Sequence, residues 1–178
     1  EVSFEREPVP AIQRAYPEVV RKVRRYCDTI TEQLDAGRGL WFTGDVGTGK
    51  TTLAMLISKT AIRADRTVAI YSLPRLLTLL RETYREDSAY SLSQLLDRLC
   101  SVDLLHIDDV GAEQTSPWVL EQLYALINAR YEDERSVILT TNIEERSELV
   151  EQIGERTVSR LQEMCELIPL FGEDARAT

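Results

Sequence analysis

Chemistry in this chain begins at Gly44-Asp45-Val46-Gly47-Thr48-Gly49-Lys50-Thr51, followed by Thr52. The pattern G-x-x-x-x-G-K-T suits a loop that wraps a chain of phosphates. Gly44, Gly47 and Gly49 let the backbone curl so that successive N–H groups point at phosphate oxygens. A helix opening at Gly49 adds the positive end of its dipole. Lys50 is expected to reach the β- and γ-phosphates, and Thr51 to ligate Mg²⁺.

A second cluster, Leu104-Leu105-His106-Ile107-Asp108-Asp109, reads as a buried strand delivering carboxylates to a metal site. Asp108 is expected to hold Mg²⁺ and Asp109 to orient or deprotonate an attacking water. His106, the only histidine, reads as a packing residue with no catalytic role. Thr140-Thr141-Asn142 closes a further strand, where the Asn142 side chain can lie beside the γ-phosphate. Arg156 and Arg160, one helical turn apart, and Arg176 are candidates to stabilise the charge of phosphoryl transfer.

These residues need a scaffold that brings strand ends together. The spacing predicts a helix over 11–35, stopped by Gly37 and Gly39, then a strand at Gly39–Thr43 and a helix from about Gly49 to Ala64. Strands follow at Thr67–Ser72, Val102–Ile107, Ser136–Thr141 and Leu167–Phe171. Helices are expected from Pro74, over Leu92–Leu99, from Ser116-Pro117 and over Gly154–Glu163, with a polar break at 85–91. Alternating strands and helices imply an α/β fold with a parallel five-stranded sheet flanked by helices. Ligands in such folds sit beyond the carboxyl ends of the strands, where the motifs fall.

The 178 residues suit one domain over 1–178. Because the chain opens at Glu1 rather than Met, an N-terminal partner-binding domain is expected outside it. The net charge of −9 excludes a protein that coats nucleic acid by bulk electrostatics. The basic run Arg21, Lys22, Arg24, Arg25 reads as a solvated helix face. Cys27, Cys100 and Cys165 form no C-x-x-C pair and suit free thiols in a reducing cytoplasm. No apolar run approaches the roughly 20 residues of a membrane span.

GDVGTGKT, LLHIDDVGAE, ILTTN, GERTVSRL and PLFGEDAR together resemble the AAA+ ATPases, and more narrowly the bacterial replicative-helicase loaders of the DnaC/DnaI type. The resemblance covers nearly the whole chain from about residue 10. It implies a P-loop NTPase fold without a full C-terminal helical lid, binding ATP with Mg²⁺. Asp108 and Asp109 then match the Walker B motif and Asn142 matches sensor 1. Arg160 aligns best with the arginine finger, Arg156 is the second choice, and Arg176 falls at sensor 2. The resemblance also implies single-stranded DNA contacts at Tyr84, Ser116 and Trp118, a homo-oligomer in the ATP state and a helicase partner. Asp109 departs from the usual glutamate, so slow or partner-stimulated hydrolysis is expected. The adenine pocket is placed around Val9–Ile12 by geometry. Three other readings compete. One is an IstB-type transposition helper on duplex DNA. Another is a small-molecule kinase with an acceptor pocket in 73–99, or a GTPase, against which the missing Asn-Lys-x-Asp motif speaks. The third is a nucleotide-gated assembly module that scarcely turns ATP over.

Overall fold

The computed structural model describes residues 2–88, 91–111, 113 and 115–171. Five strands, β1 (Gly39–Gly44), β2 (Val68–Ser72), β3 (Leu104–Val110), β4 (Ser136–Thr141) and β5 (Cys165–Leu170), form one sheet in the order β2-β3-β4-β1-β5. Every pairing is parallel. The phosphate-loop strand β1 and the acidic strand β3 therefore flank β4, and all three release their chains at one edge of the sheet.

The single helix expected over 11–35 is three: α1 (Val9–Ala15), α2 (Pro17–Asp28) and α3 (Ile30–Asp35). Pro17 disfavours the helical conformation at the residue before it, and Tyr16 accordingly sits at φ −135°, ψ 67°. At Thr29 the side-chain hydroxyl donates to the carbonyl of Arg25, an alternative to the helical ladder that bends the chain. The apolar positions still face inward, with Ile12, Val23, Ile30 and Leu34 all buried.

After β1 comes α4 (Lys50–Arg63), then α5 (Leu73–Glu82) and α6 (Leu92–Ser101) between β2 and β3. Ser72 caps α5, and Ser91 with Gln94 forms a capping box on α6. Helix α7 (Pro117–Glu132) starts with Ser116 as cap and Pro117 in the first turn. Two helices, α8 (Arg146–Ile153) and α9 (Glu155–Met164), separate β4 from β5. Only α9 was legible from periodicity, because α8 presents just Leu149 and Ile153 to the core. Among the described residues no helix follows β5.

The sheet divides two apolar clusters. Leu40, Phe42, Leu104 and Ile138 pack with helices α1–α4 on one face. Trp41, Leu105, Ile107, Val137 and Leu139 pack with α5–α9 on the other. The alternation is that of strands covered on both sides.

One cation lies wholly inside. Arg130 of α7 is 0% exposed, and its guanidinium donates to the carbonyls of Leu99, Cys100, Val102, Asp103 and Ser136. It satisfies the free carbonyls at the end of α6 while tying the starts of β3 and β4 together. Burial lowers its pKa to about 10, which leaves it charged at neutral pH.

Candidate functional site

The loop between β1 and α4 is glycine-bound for steric reasons. A Cβ on Gly44, at φ +151°, would lie 1.8 Å from the carbonyl oxygen of Leu170 in β5. A Cβ on Gly49, at φ +103°, would lie 2.4 Å from Cδ1 of Ile12. The loop is thus pressed between β5 and α1. Thr48 is buried and donates to the carbonyl of Asp45, fixing the curl, whereas Val46 at the tip is exposed. Lys50 Nζ donates to the carbonyls of Gly44 (2.7 Å) and Asp45 (2.6 Å), so the ammonium lies folded over the loop.

Strand β3 runs past Ile107, where the expected strand stopped, to Val110. The register against β4 slips between Ile107 and Val110, a bulge that places Asp109 at φ +57°. Few non-glycine residues adopt this conformation, and such strain concentrates at functional sites. Thr140 of β4 holds the bulge. Its hydroxyl accepts from the N–H of Asp109 (2.8 Å) and donates to Asp108 Oδ1 (2.7 Å). Thr51 Oγ1 lies 3.0 Å and 3.2 Å from the two oxygens of Asp108. Burial pushes the Asp108 carboxyl up, but His106, Thr140 and Thr51 together outweigh it and hold it below the usual carboxylate range.

These residues line one cavity of about 310 Å³, bounded by Pro8, Ile12, Val46, Gly47, Gly49 to Thr52, Asp108, Asp109 and Thr140 to Asn142. The segment Val9–Ile12, expected near adenine, only partly borders the cavity. Ile12 lines the cavity together with Pro8, while Val9 is buried in the core. Residues 73–99 contribute nothing to the cavity among the described residues. Instead Leu76, Leu77, Leu80, Leu95 and Leu99 are core.

Thr51 and Asp108 offer hard oxygen donors at hydrogen-bonding distance from each other, a pair that suits Mg²⁺ shared with phosphates and water. Among the described residues no cluster of three or more His, Cys, Asp or Glu could hold a metal by itself.

Arg156 and Arg160 lie elsewhere. Arg156 of α9 lies 3.7 Å over the Tyr124 ring of α7. Arg160 lies 4.5 Å over Tyr131, donates to Asn128 Oδ1 and faces Glu163. Neither lines the cavity of its own chain. Arg176 lies outside the described residues. Tyr84, 78% exposed, meets half-buried Trp118 edge-to-face, with ring centroids 5.5 Å apart. The Ser116 hydroxyl beside them caps α7. The basic run on α2 is exposed, as expected of a solvated face, with Arg21 paired to Glu18, Lys22 to Glu166, and Arg24 over Phe4. Thr140 went unrecognised in the sequence. The Thr-Thr-Asn run signalled it, but only the bulge opposite shows what it holds.

The family of IstB-like ATP binding proteins matches residues 27–177. The replicative helicase loader DnaC of Buchnera aphidicola subsp. Schizaphis graminum is 27% identical over 144 residues, 81% of this chain and 57% of that protein. DnaC of Escherichia coli K12 is 29% identical over 134 residues, 75% of this chain and 54% of that protein. The chain thus spans little more than half the length of these relatives. A crystal structure of the DnaC helicase loader superposes with a TM-score of 0.75 at 26% identity, covering 88% of this chain and 90% of that one. The architecture is that of a P-loop AAA+ domain.

Proposed function

The chain belongs to the IstB-like ATP binding proteins, and we propose that it is the ATPase module of a replicative-helicase loader. The observation that carries the ATPase reading is the meeting of the phosphate loop with Asp108, Asp109 and Asn142 around one cavity.

In this reading Lys50 exchanges the carbonyls of Gly44 and Asp45 for the β- and γ-phosphates. Backbone N–H groups of the loop and the start of α4 take the remaining phosphate oxygens. Thr51 and Asp108 would hold Mg²⁺, which would supply positive charge against the phosphates. Asp109 and Asn142 stand at the exposed rim, where Asn142 orients the water and the Asp109 carboxylate takes its proton. Arg160 or Arg156 completes the site of a neighbouring copy, since each packs on α7 away from its own cavity. ATP binding would then assemble the oligomer, with Arg176 a further candidate contact.

The partner assignment rests on the names of the DnaC relatives. Exposed Tyr84, set edge-to-face on half-buried Trp118 at the start of α7, supports a single-stranded DNA contact, because every base offers a face for an aromatic to stack on. Ser116 beside it can bond a phosphate. Among the described residues no helix is long and apolar enough to cross a membrane, and the three cysteines are free; a cytoplasmic location is part of the helicase-loader reading. The family match also favours a second reading, an IstB-type transposition helper on duplex DNA.

The test is binding of labelled single-stranded and duplex oligonucleotides with ATP, with ADP and without nucleotide, at one salt concentration. ATP-dependent binding to single strands that weakens on Trp118→Ala supports the loader. Binding to duplex alone favours the transposition helper. No binding in any condition removes DNA from the function of this domain.

A further inference from the structure

Ser58 and His106 take no part in the steps above, yet both are 0% exposed. Ser58 follows Thr51 by two helical turns on α4, so the two share a face. His106 precedes Asp108 by two residues on β3, so they share a face as well. Helix and strand therefore meet in two polar rungs, Thr51 with Asp108 and Ser58 with His106. In the second rung Ser58 Oγ lies 3.0 Å from His106 Nδ1. The flanking register positions are Ile70 in β2 and Ile138 in β4, so the imidazole sits in an otherwise aliphatic row. An aliphatic side chain would fill that space without the cost of burying polar groups.

The other ring nitrogen decides what the pair is for. Nε2 is buried and has no closer polar partner than Asp108 Oδ1, at 3.5 Å. No hydrogen bond forms at that distance, but Oδ1 is the carboxylate oxygen nearest the buried nitrogen. Oδ1 accepts from Thr140 and lies 3.0 Å from Thr51 Oγ1, whereas Oδ2 has Thr51 alone, at 3.2 Å.

We propose that Ser58 and His106 are positioning residues for the metal-binding carboxylate of Asp108. Ser58 donates its O–H to Nδ1 and so holds the neutral imidazole in the tautomer with the proton on Nε2. That N–H and the Thr140 hydroxyl keep Oδ1 turned inward, leaving Oδ2 to face the cavity and a divalent cation. Without Ser58 the imidazole loses the partner that fixes Nδ1 as an acceptor and holds the ring in place, so the N–H behind Oδ1 is no longer held and the carboxylate loses its fixed rotation. Partners behind a metal ligand typically change metal affinity by about 10–100-fold. The inference rests on the ATP–Mg²⁺ reading of the cavity.

The experiment is titration of a fluorescent ATP analogue, first in EDTA and then across a Mg²⁺ series. It is run on the wild-type chain, Ser58→Ala, His106→Val and His106→Gln, with unfolding midpoints for each. In EDTA the variants should bind the analogue within about twofold of wild type. The Mg²⁺ concentration at half effect should rise about tenfold for Ser58→Ala and His106→Val. His106→Gln, which keeps an amide N–H for Asp108, should recover most of it. Ser58→Ala removes a single oxygen and carries the test if the histidine variants do not fold. Equal weakening in EDTA and in Mg²⁺ would reduce the pair to a packing role and overturn the proposal, as would an unchanged Mg²⁺ midpoint. If the wild-type chain binds no analogue in either condition, the ATPase reading itself fails and takes the proposal with it.

Discussion

Replacing Thr140 by valine keeps the shape of the side chain and removes one oxygen that serves both acids of the site. Two hydrogen bonds go with it, 2.7 Å to the Asp108 carboxylate and 2.8 Å from the Asp109 N–H. A bond to a charged group contributes about 1.5–3 kcal/mol, and a stranded donor costs about 1–3 kcal/mol. Asp109 lies at the exposed rim, so its N–H falls at the low end, and the sum is about 2–4 kcal/mol. For a domain of this size each kcal/mol lowers Tm by roughly 2–4 °C, giving a fall of about 5–15 °C.

Urea unfolding at pH 7 and at pH 4 separates the two losses. The Asp108 carboxyl is held below its ordinary value, so near pH 4 the folded chain binds fewer protons than the unfolded one. The stability this contributes is complete above the unfolded pKa of about 3.9 and is lost as pH falls through the folded value. Valine reduces the depression, so the gap between wild type and variant is widest at neutral pH and narrows as pH approaches and passes 4. A gap of constant size would assign the whole loss to the Asp109 N–H. A gap below about 0.5 kcal/mol at pH 7 would refute the reasoning, since that is the scatter of surface substitutions.

Arg130→Met leaves five carbonyls without their shared donor and should lower unfolding stability by about 3–5 kcal/mol, measured by denaturant titration. Gly44→Ala drives a Cβ into the backbone of Leu170, so the variant should lose about 3 kcal/mol or more and with it nucleotide binding, seen by thermal shift with and without ATP. Lys50→Ala should abolish ATP hydrolysis while leaving the unfolding midpoint within about 1 kcal/mol, since its ammonium lies folded over the loop at the cavity edge. Mixing Lys50→Ala chains with Arg160→Ala chains, and separately with Arg156→Ala chains, should restore turnover only for combinations in which an intact arginine faces an intact loop. If neither arginine variant lowers the rate of an assembled sample, the trans assignment is wrong.

What could be read from the sequence and what could not divide along a physical line. The phosphate loop was legible because its chemistry is local. Glycines, lysine and threonine are consecutive, and the apolar strand before them and the helix after them lie within reach of one window. The acidic pair was legible as a strand end, and the sheet followed from alternation. The rest depends on what lies opposite in space. The break at Thr29 depends on a side-chain bond within its own helix. The left-handed turn at Asp109 depends on Thr140, 31 residues away, and the buried Arg130 is explained only by the strand and helix ends that converge on it. His106 shows how far a reading by residue type carries. A lone histidine in an apolar strand is most simply a packing residue, and its burial agrees. Yet the residues that give its two nitrogens meaning, Ser58 and Asp108, lie on a helix seven residues after Thr51 and two positions along its own strand. Periodicity places each residue on its face, and only the docking of α4 on β3 brings those faces together around the Asp108 carboxylate.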